Sequence, residues 1–425
     1  MKKANYLLIL ILLLGMGCDE VIDITPDQDG TVTEPENADE LEAVLRGAYA
    51  GLAKSENYGA DFLLLGELAV GWLSGETFWN KPSRPLDAIA FSRISPNNAA
   101  VERIWEQSYR TINAANLVLR RAELAGSEQA RVAGEARALR ALVYFELLSY
   151  FSPPDDETLG VPLVLETITD NFPARASRTA VYQQIVSDLD FARQNLPEWT
   201  GNPYRFSGLA ATALLARVEL QRQNRATAQA LAETVLGSGQ FALSDQVRPV
   251  FLERENSELI FGLDRRGGTS EGVAARYTDD VEVLRPHLER YPEGDRRLSF
   301  FDATGATWRC NKWQQAADFL PMIRLSELIL IRAEARLRSG ERPSADLNAL
   351  RARAGVPAFL PADITEATLW EERRRELAYE GHYLRDVRRW QRNPGNVPFN
   401  APALVLPIPQ REINSNPNLI QNEGY

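Results

Sequence analysis

The chain has 425 residues, of which 44% are hydrophobic and 25% charged, proportions that let a globular protein bury a sizeable core. Its formal net charge of -11 at pH 7 argues against a nucleic-acid partner, which needs a basic face, and disfavours anionic lipid surfaces. Neutral ligands and protein partners are the easier readings.

Lys2 and Lys3 precede an apolar run from Tyr6 to Leu14, and Gly15 and Gly17 then lead to Cys18. This is the layout of a secretory signal, and the run is too short for a mature membrane-spanning helix, which takes about 20 residues. A cysteine directly after such a run predicts lipoprotein processing, with residues 1–17 removed and a diacylglyceryl group on Cys18. Gly15 stands where a lipobox usually carries Leu, so export is better marked than the cleavage point. Cys310 is the only other cysteine, and lipidation of Cys18 would leave it without an intramolecular partner. Residues 18–36 are polar, with Pro26, Gly30 and Pro35, and read as a tether to a single domain over 37–425.

That domain begins with helical signals. Asn37 with Glu40 forms a capping-box pattern, and Leu41, Val44, Leu45, Ala48 and Leu52 predict a helix over Ala38–Ala53. A second apolar helix is expected over Asp61–Trp72, followed by the loop GWLSGETFWNKPSRP. Asn98 and Ser127 open two long amphipathic helices, the second stopped by Pro153 and Pro154. After an irregular stretch at 151–176, further helices are expected over Thr179–Leu196, Ser207–Gln223 and Arg225–Leu236, with Gly237 as a cap. From 240 to 321 the helical period fails: Glu258–Leu263 reads as a short strand, Arg265–Gly272 as a glycine-rich loop, and Tyr277–Trp313 as irregular. The residues from 322 onward are helical again, over Met322–Ser339 closed by Gly340, and over Pro343–Ala354 closed by Gly355. Ala216 with Leu220 and Ala333 with Leu337 repeat one spacing before a polar turn, two matches to a tetratricopeptide-like helix-pair array.

The last helices carry the run LWEERRRELAYEGHYLRDVRRW. Trp370, Leu377, Gly381 and Leu384 fall on one helical stripe, and the interleaved Glu371, Glu372, Glu376 and Arg373, Arg374, Arg375 read as a solvated face of paired charges. Gly381 is expected to break the helix, with a short one following over Tyr383–Trp390.

The run RRRELAYEGHYLRDVRRW, followed by LPIPQREINSNPNLIQNEGY to the last residue, resembles the C-terminal signature of the SusD/RagB family. The resemblance implies a mostly α, tetratricopeptide-like scaffold with a loop-rich insert containing short strands. It divides 37–425 into N-terminal helical repeats (37–239), the irregular insert (240–321) and C-terminal helices with the signature (322–425). It further implies an outer-membrane lipoprotein facing the cell exterior, which captures an oligosaccharide or similar nutrient for a SusC-like TonB-dependent transporter. Asp19 and Glu20, directly after the cysteine, resemble the export signals of such lipoproteins.

Enzyme and cofactor motifs are missing: there is no His-Glu-x-x-His, Gly-x-Ser-x-Gly or P-loop, and the chain has two histidines, His287 and His382. His382 lies inside the signature and is read as structural. A helical glycoside hydrolase needs only two acids, for which Glu76, Asp279, Asp280 and Asp302 are candidates; a protein-only helical scaffold is the other alternative. Aromatics give the better signal, because a sugar presents an apolar C–H face with a rim of hydroxyls. Trp72, Phe78 and Trp79 with Asn80 lie in one loop, and Tyr277, Trp308 and Trp313 lie in the insert. The resemblance implies ligand-binding aromatics in these two regions, and the seven residues are taken as candidate walls of a glycan site, with Arg276 next in line.

Overall fold

A computed structural model describes residues 34–81, 85–167, 172–266, 272–315 and 318–425. The expected leader, Cys18 and the tether up to residue 33 lie outside the described residues, as do 267–271 of the glycine-rich loop. Pro35–Tyr425 forms one compact unit.

Among the described residues ten helices carry the framework: α1 Ala38–Leu52, α2 Ala99–Arg120, α3 Gln129–Phe151, α4 Arg178–Asn195, α5 Gly208–Gln221, α6 Arg225–Gly237, α7 Leu325–Arg338, α8 Ser344–Ala354, α9 Glu366–Glu376 and α10 Tyr383–Trp390. The starts of α1, α2, α4 and α5 follow capping residues, whereas α3 starts at Gln129, two residues past the expected Ser127 and without a side-chain cap. The side chains of Asn37, Asn98, Ser177 and Ser207 each accept from a backbone N–H in the first turn, satisfying donors the helix cannot. From α1 to α8 each helix packs on its successor, and α9 closes on α7 and α8, so the order in sequence is the order in the stack. Because α7 lies directly against α6 although some ninety residues separate them, the intervening chain is extruded from the array. Ala216, Leu220, Ala333 and Leu337 are all buried, as the repeated spacing requires.

The extruded chain joins the first loop. Six strands, β1 Thr77–Trp79, β2 Leu259–Asp264, β3 Val281–Val283, β4 Phe301–Thr304, β5 Thr307–Cys310 and β6 Phe319–Arg324, form two antiparallel sheets. One is four-stranded in the order β1-β3-β5-β4, and the other pairs β2 with β6.

Four expectations are corrected. The helix expected over Met322–Ser339 starts at Leu325, because Phe319–Arg324 is drawn into a ladder with β2, Pro321 facing Gly262. Gly237 stays helical, and the left-handed residue of that turn is Gly239, at φ +72°. The single helix over Asp61–Trp72 is two, Asp61–Leu65 and Leu68–Leu73, broken at Gly66. There the chain meets the signature: Leu384 N–H donates to the Gly66 carbonyl at 2.9 Å, and a Cβ on Gly66 would overlap the carbonyl of Gly381, itself at φ +77°. Gly66→Ala should therefore cost about 1–3 kcal/mol by forcing these backbones apart, read as a lower denaturation midpoint with an unchanged slope.

The fourth correction is the largest. The charges of α9 are not a solvated face, since Glu372, Arg373, Arg374 and Glu376 are all at most 4% exposed. Glu376 accepts from Arg324 at 2.6 Å, from Arg297 at 3.2 Å and from Arg353. Around it, Arg353 reaches Glu258 at 2.6 Å, Arg297 reaches Asp295 and Glu372 at 2.8 and 2.7 Å, and Arg324 reaches Glu380 at 2.8 Å. Arg373 and Arg389 clamp Asp386 at 2.9 and 2.7 Å; burial opposes its ionisation, but the two guanidiniums bring its pKa down to about 2. The helix periodicity was sound for Trp370, Leu377 and Leu384, which are buried. A helix enclosed on all sides keeps charges inside only where each finds a partner, and those partners lie far away in sequence.

Candidate functional site

The loop after Leu73 and the insert, far apart in sequence, are one surface. β1 pairs with β3 through Thr77–Val283, Phe78–Glu282 and Trp79–Val281. Backbone bonds extend the ladder at both ends, with Leu284 N–H donating to Glu76 O and Asn80 N–H to Asp280 O, each at 2.8 Å. Side chains alternate across a strand, so a cross-strand row runs over the outer face: Phe78, Glu282, Arg309 and Asp302. Glu282 and Arg309 pair at 3.1 Å, and Asn311 donates to Asp302 at 2.6 Å.

At the edge of this row Phe78 meets two further aromatics. Trp72, 38% exposed, lies 5.8 Å from Phe78 and 4.8 Å edge-on to Phe91, and Phe91 is 5.8 Å from Phe78. The guanidinium of Arg93 stands 5.1 Å from the Phe91 ring. Asn80 is exposed at the end of β1, and the exposed Asp279 lies next to Asp280, to which Asn80 is bonded. Phe91 was not a candidate from the sequence. It follows the short helix Pro85–Ala90 at the end of an apolar run, where nothing marks the last residue as turned outward.

The other candidate aromatics are placed differently, which corrects the two-walled reading. Trp79, Tyr277 and Trp313 are at most 2% exposed. Trp79 alternates to the inner face and donates to Lys81 O at 2.8 Å. Tyr277 packs edge-on to Tyr379 at 5.4 Å, and Trp313 donates to Tyr379 O at 3.0 Å. Lys312 adds bonds to Ala378 O and Glu380, both 2.8 Å. These side chains pin the insert to the signature turn, a buried fastening whose polar ends sit on backbone carbonyls. Trp308 stands opposite Val283, on the face turned inward, and is half-buried. The structure thus leaves Trp72, Phe78 and Asn80 together at the surface, joined by Phe91.

The candidate acids have structural partners. Glu76 is buried among Arg290 at 2.6 Å, Arg374 at 2.9 Å, Tyr383 at 3.0 Å and His287 at 3.1 Å. Burial opposes its charge, but Arg374, His287 and Arg290 hold its pKa well below the usual carboxylate range. Asp280 pairs with Arg276 at 2.9 Å. His287 and His382 are both buried, and burial drives the pKa of each down. Among the described residues no cluster of His, Cys, Asp and Glu could hold a metal ion.

Residues 23–220 match the family described as starch-binding and associating with the outer membrane, and residues 299–403, which include the signature turn and its arginines, match the SusD family. The chain belongs to the SusD/RagB family. SusD-like protein P2 of Formosa agariphila is 25% identical over the whole of both chains. The starch-binding protein SusD of Bacteroides thetaiotaomicron is 35% identical over a segment that is 25% of this chain and 21% of that protein. Among solved structures, a SusD superfamily protein of Bacteroides vulgatus has a TM-score of 0.82 at 22% identity, covering 92% of this chain and 99% of that one. A laminarin-binding SusD-like protein has a TM-score of 0.75 at 25% identity, covering 92% and 100%. SusD-family chains are carbohydrate-binding proteins, not enzymes.

Proposed function

We propose that this SusD-like chain captures an oligosaccharide, unaltered, on the surface formed by Trp72, Phe78, Phe91 and Asn80, and passes it to a SusC-like TonB-dependent transporter. The observation that carries the reading is the aromatic cluster at the surface, where the exposed indole of Trp72 and the half-buried rings of Phe78 and Phe91 lie near the Asn80 amide at a sheet edge. Aromatic faces take the C–H side of a sugar and the amide takes its hydroxyls. The names of relatives as starch-binding and laminarin-binding support glycan as the ligand class. A glycan-array screen of the chain against its Trp72→Ala variant tests this, since the expected hits should weaken together.

Two parts rest on the family and on the leader. With a lipid on Cys18, the chain would be held at the outer membrane facing outward. Cys18→Ala should abolish incorporation of a fatty-acid probe, and labelling that persists would count against the anchor. The transporter partner should copurify after mild detergent extraction, through an interface on the order of 2,000 Å² if the complex is lasting. Recovery of a monodisperse monomer from cells expressing the transporter would speak against that partnership.

A further inference from the structure

A pocket of about 480 Å³ opens where the end of α3, the start of α4, the α5–α6 turn, the end of α7 and α10 converge. In a chain of net charge -11, its lining contains six arginines and no carboxylate. Three of them are neutralised from behind: Arg385 by Glu146 at 2.7 Å, Arg389 by Glu334 and Asp386, both at 2.7 Å, and Arg338 by Glu366.

Arg178, Arg225 and Arg388 are not. Arg178 donates to Ser152 Oγ at 2.7 Å and Pro153 O at 2.8 Å, and Arg225 to Gln223 Oε1 at 2.7 Å. Arg388, 8% exposed, donates only to carbonyl oxygens, those of Ser149 and of Leu404, the latter at 2.8 Å. Neutral acceptors satisfy geometry without cancelling charge, and an uncompensated buried charge is costly. Burial and the neighbouring Arg178 together push the Arg388 pKa down to about 10. Asp155, exposed and already bonded to Asn400, opposes this weakly. Around Glu376 and Asp386 buried arginines are met by acids, which is what Arg388 lacks in this pocket.

We infer that this pocket is an oxyanion site, in which a sulfate, phosphate or carboxylate group supplies the missing counter-charge to Arg178, Arg225 and Arg388. Planar guanidiniums present paired N–H donors to such groups, and Gln221, Gln223 and Tyr182 line the same space for any attached hydroxyls. The group is either a free inorganic anion or a substituent on a charged sugar. The site is separate from the aromatic surface, and its ligand does not depend on what that surface binds.

The test uses the full chain, Arg225→Gln, which removes an exposed side chain, and Arg178→Gln. Thermal melts with sodium sulfate are compared with sodium chloride at equal ionic strength, and calorimetry compares a sulfated galactan oligosaccharide with its desulfated form. The wild type should show a saturable response that each variant weakens about tenfold, the loss of one hydrogen-bonding cation. Binding of sulfate but not of the sulfated galactan assigns a free anion; tighter binding of the sulfated galactan than of sulfate assigns a charged sugar. A sulfate response that is equal in the wild type and Arg225→Gln is the general salting effect, and with no preference for the sulfated galactan it overturns the inference.

Discussion

Glu376→Gln should cost the fold about 3–5 kcal/mol, because it removes the carboxylate shared by three buried arginines, Arg324, Arg353 and Arg297, and leaves their charge in a medium that cannot solvate it. Chemical denaturation measures this directly; a loss under 1 kcal/mol would mean that Glu258, Glu372 and Glu380 carry the arginines without it. The same site sets an acid limit. Burial works against the ionised form of Glu376, but Arg353, Arg324 and Arg297 outweigh it and hold the pKa well below the usual range. A carboxylate whose folded pKa is depressed contributes fully above its unfolded pKa, about 4.3, and its contribution fades as pH falls toward the folded value. Wild-type stability should thus decline below about pH 4, and the decline should be shallower in Glu376→Gln.

This ionic core marks the limit of what the sequence shows. The periodicity of α1 to α6, the caps Asn37, Asn98 and Ser207 and the break near Gly381 are local facts, and the structure keeps them; the expected caps Ser127 and Gly237 it does not keep. The fate of the charges in RRRELAYEGHYLRDVRRW is not local. Glu258, Asp295, Arg324 and Arg353 complete the network from four separate elements, so spacing within α9 alone favours a solvated face. The same holds for the aromatics. Trp79 and Phe78 are adjacent, and only the register of β1 against β3 decides that one points in and the other out. That the loop and the insert would meet in one sheet was not legible from either segment, and neither was the place of the half-buried Phe91 beside Trp72 and Phe78.

The second large effect separates these neighbours. Trp79→Ala should destabilise the chain by about 3–5 kcal/mol, as expected for a large buried side chain truncated inside a packed core. Trp72→Ala, at a side chain 38% exposed, should leave the melting temperature close to wild type. Its loss should fall instead on ligand capture, at about 1 kcal/mol or roughly fivefold in affinity for one aromatic contact. If Trp79→Ala melts normally and binds poorly, the outward and inward assignments of β1 are reversed.

Capture of glycan by the Trp72, Phe78 and Phe91 cluster is tested by a calorimetric titration of the best oligosaccharide from the array into the wild type and into Trp72→Ala, with the melting temperature of each recorded. Affinity should fall roughly fivefold or more in the variant at an unchanged melting temperature. Equal affinity in the two proteins, with both fully folded, would contradict it.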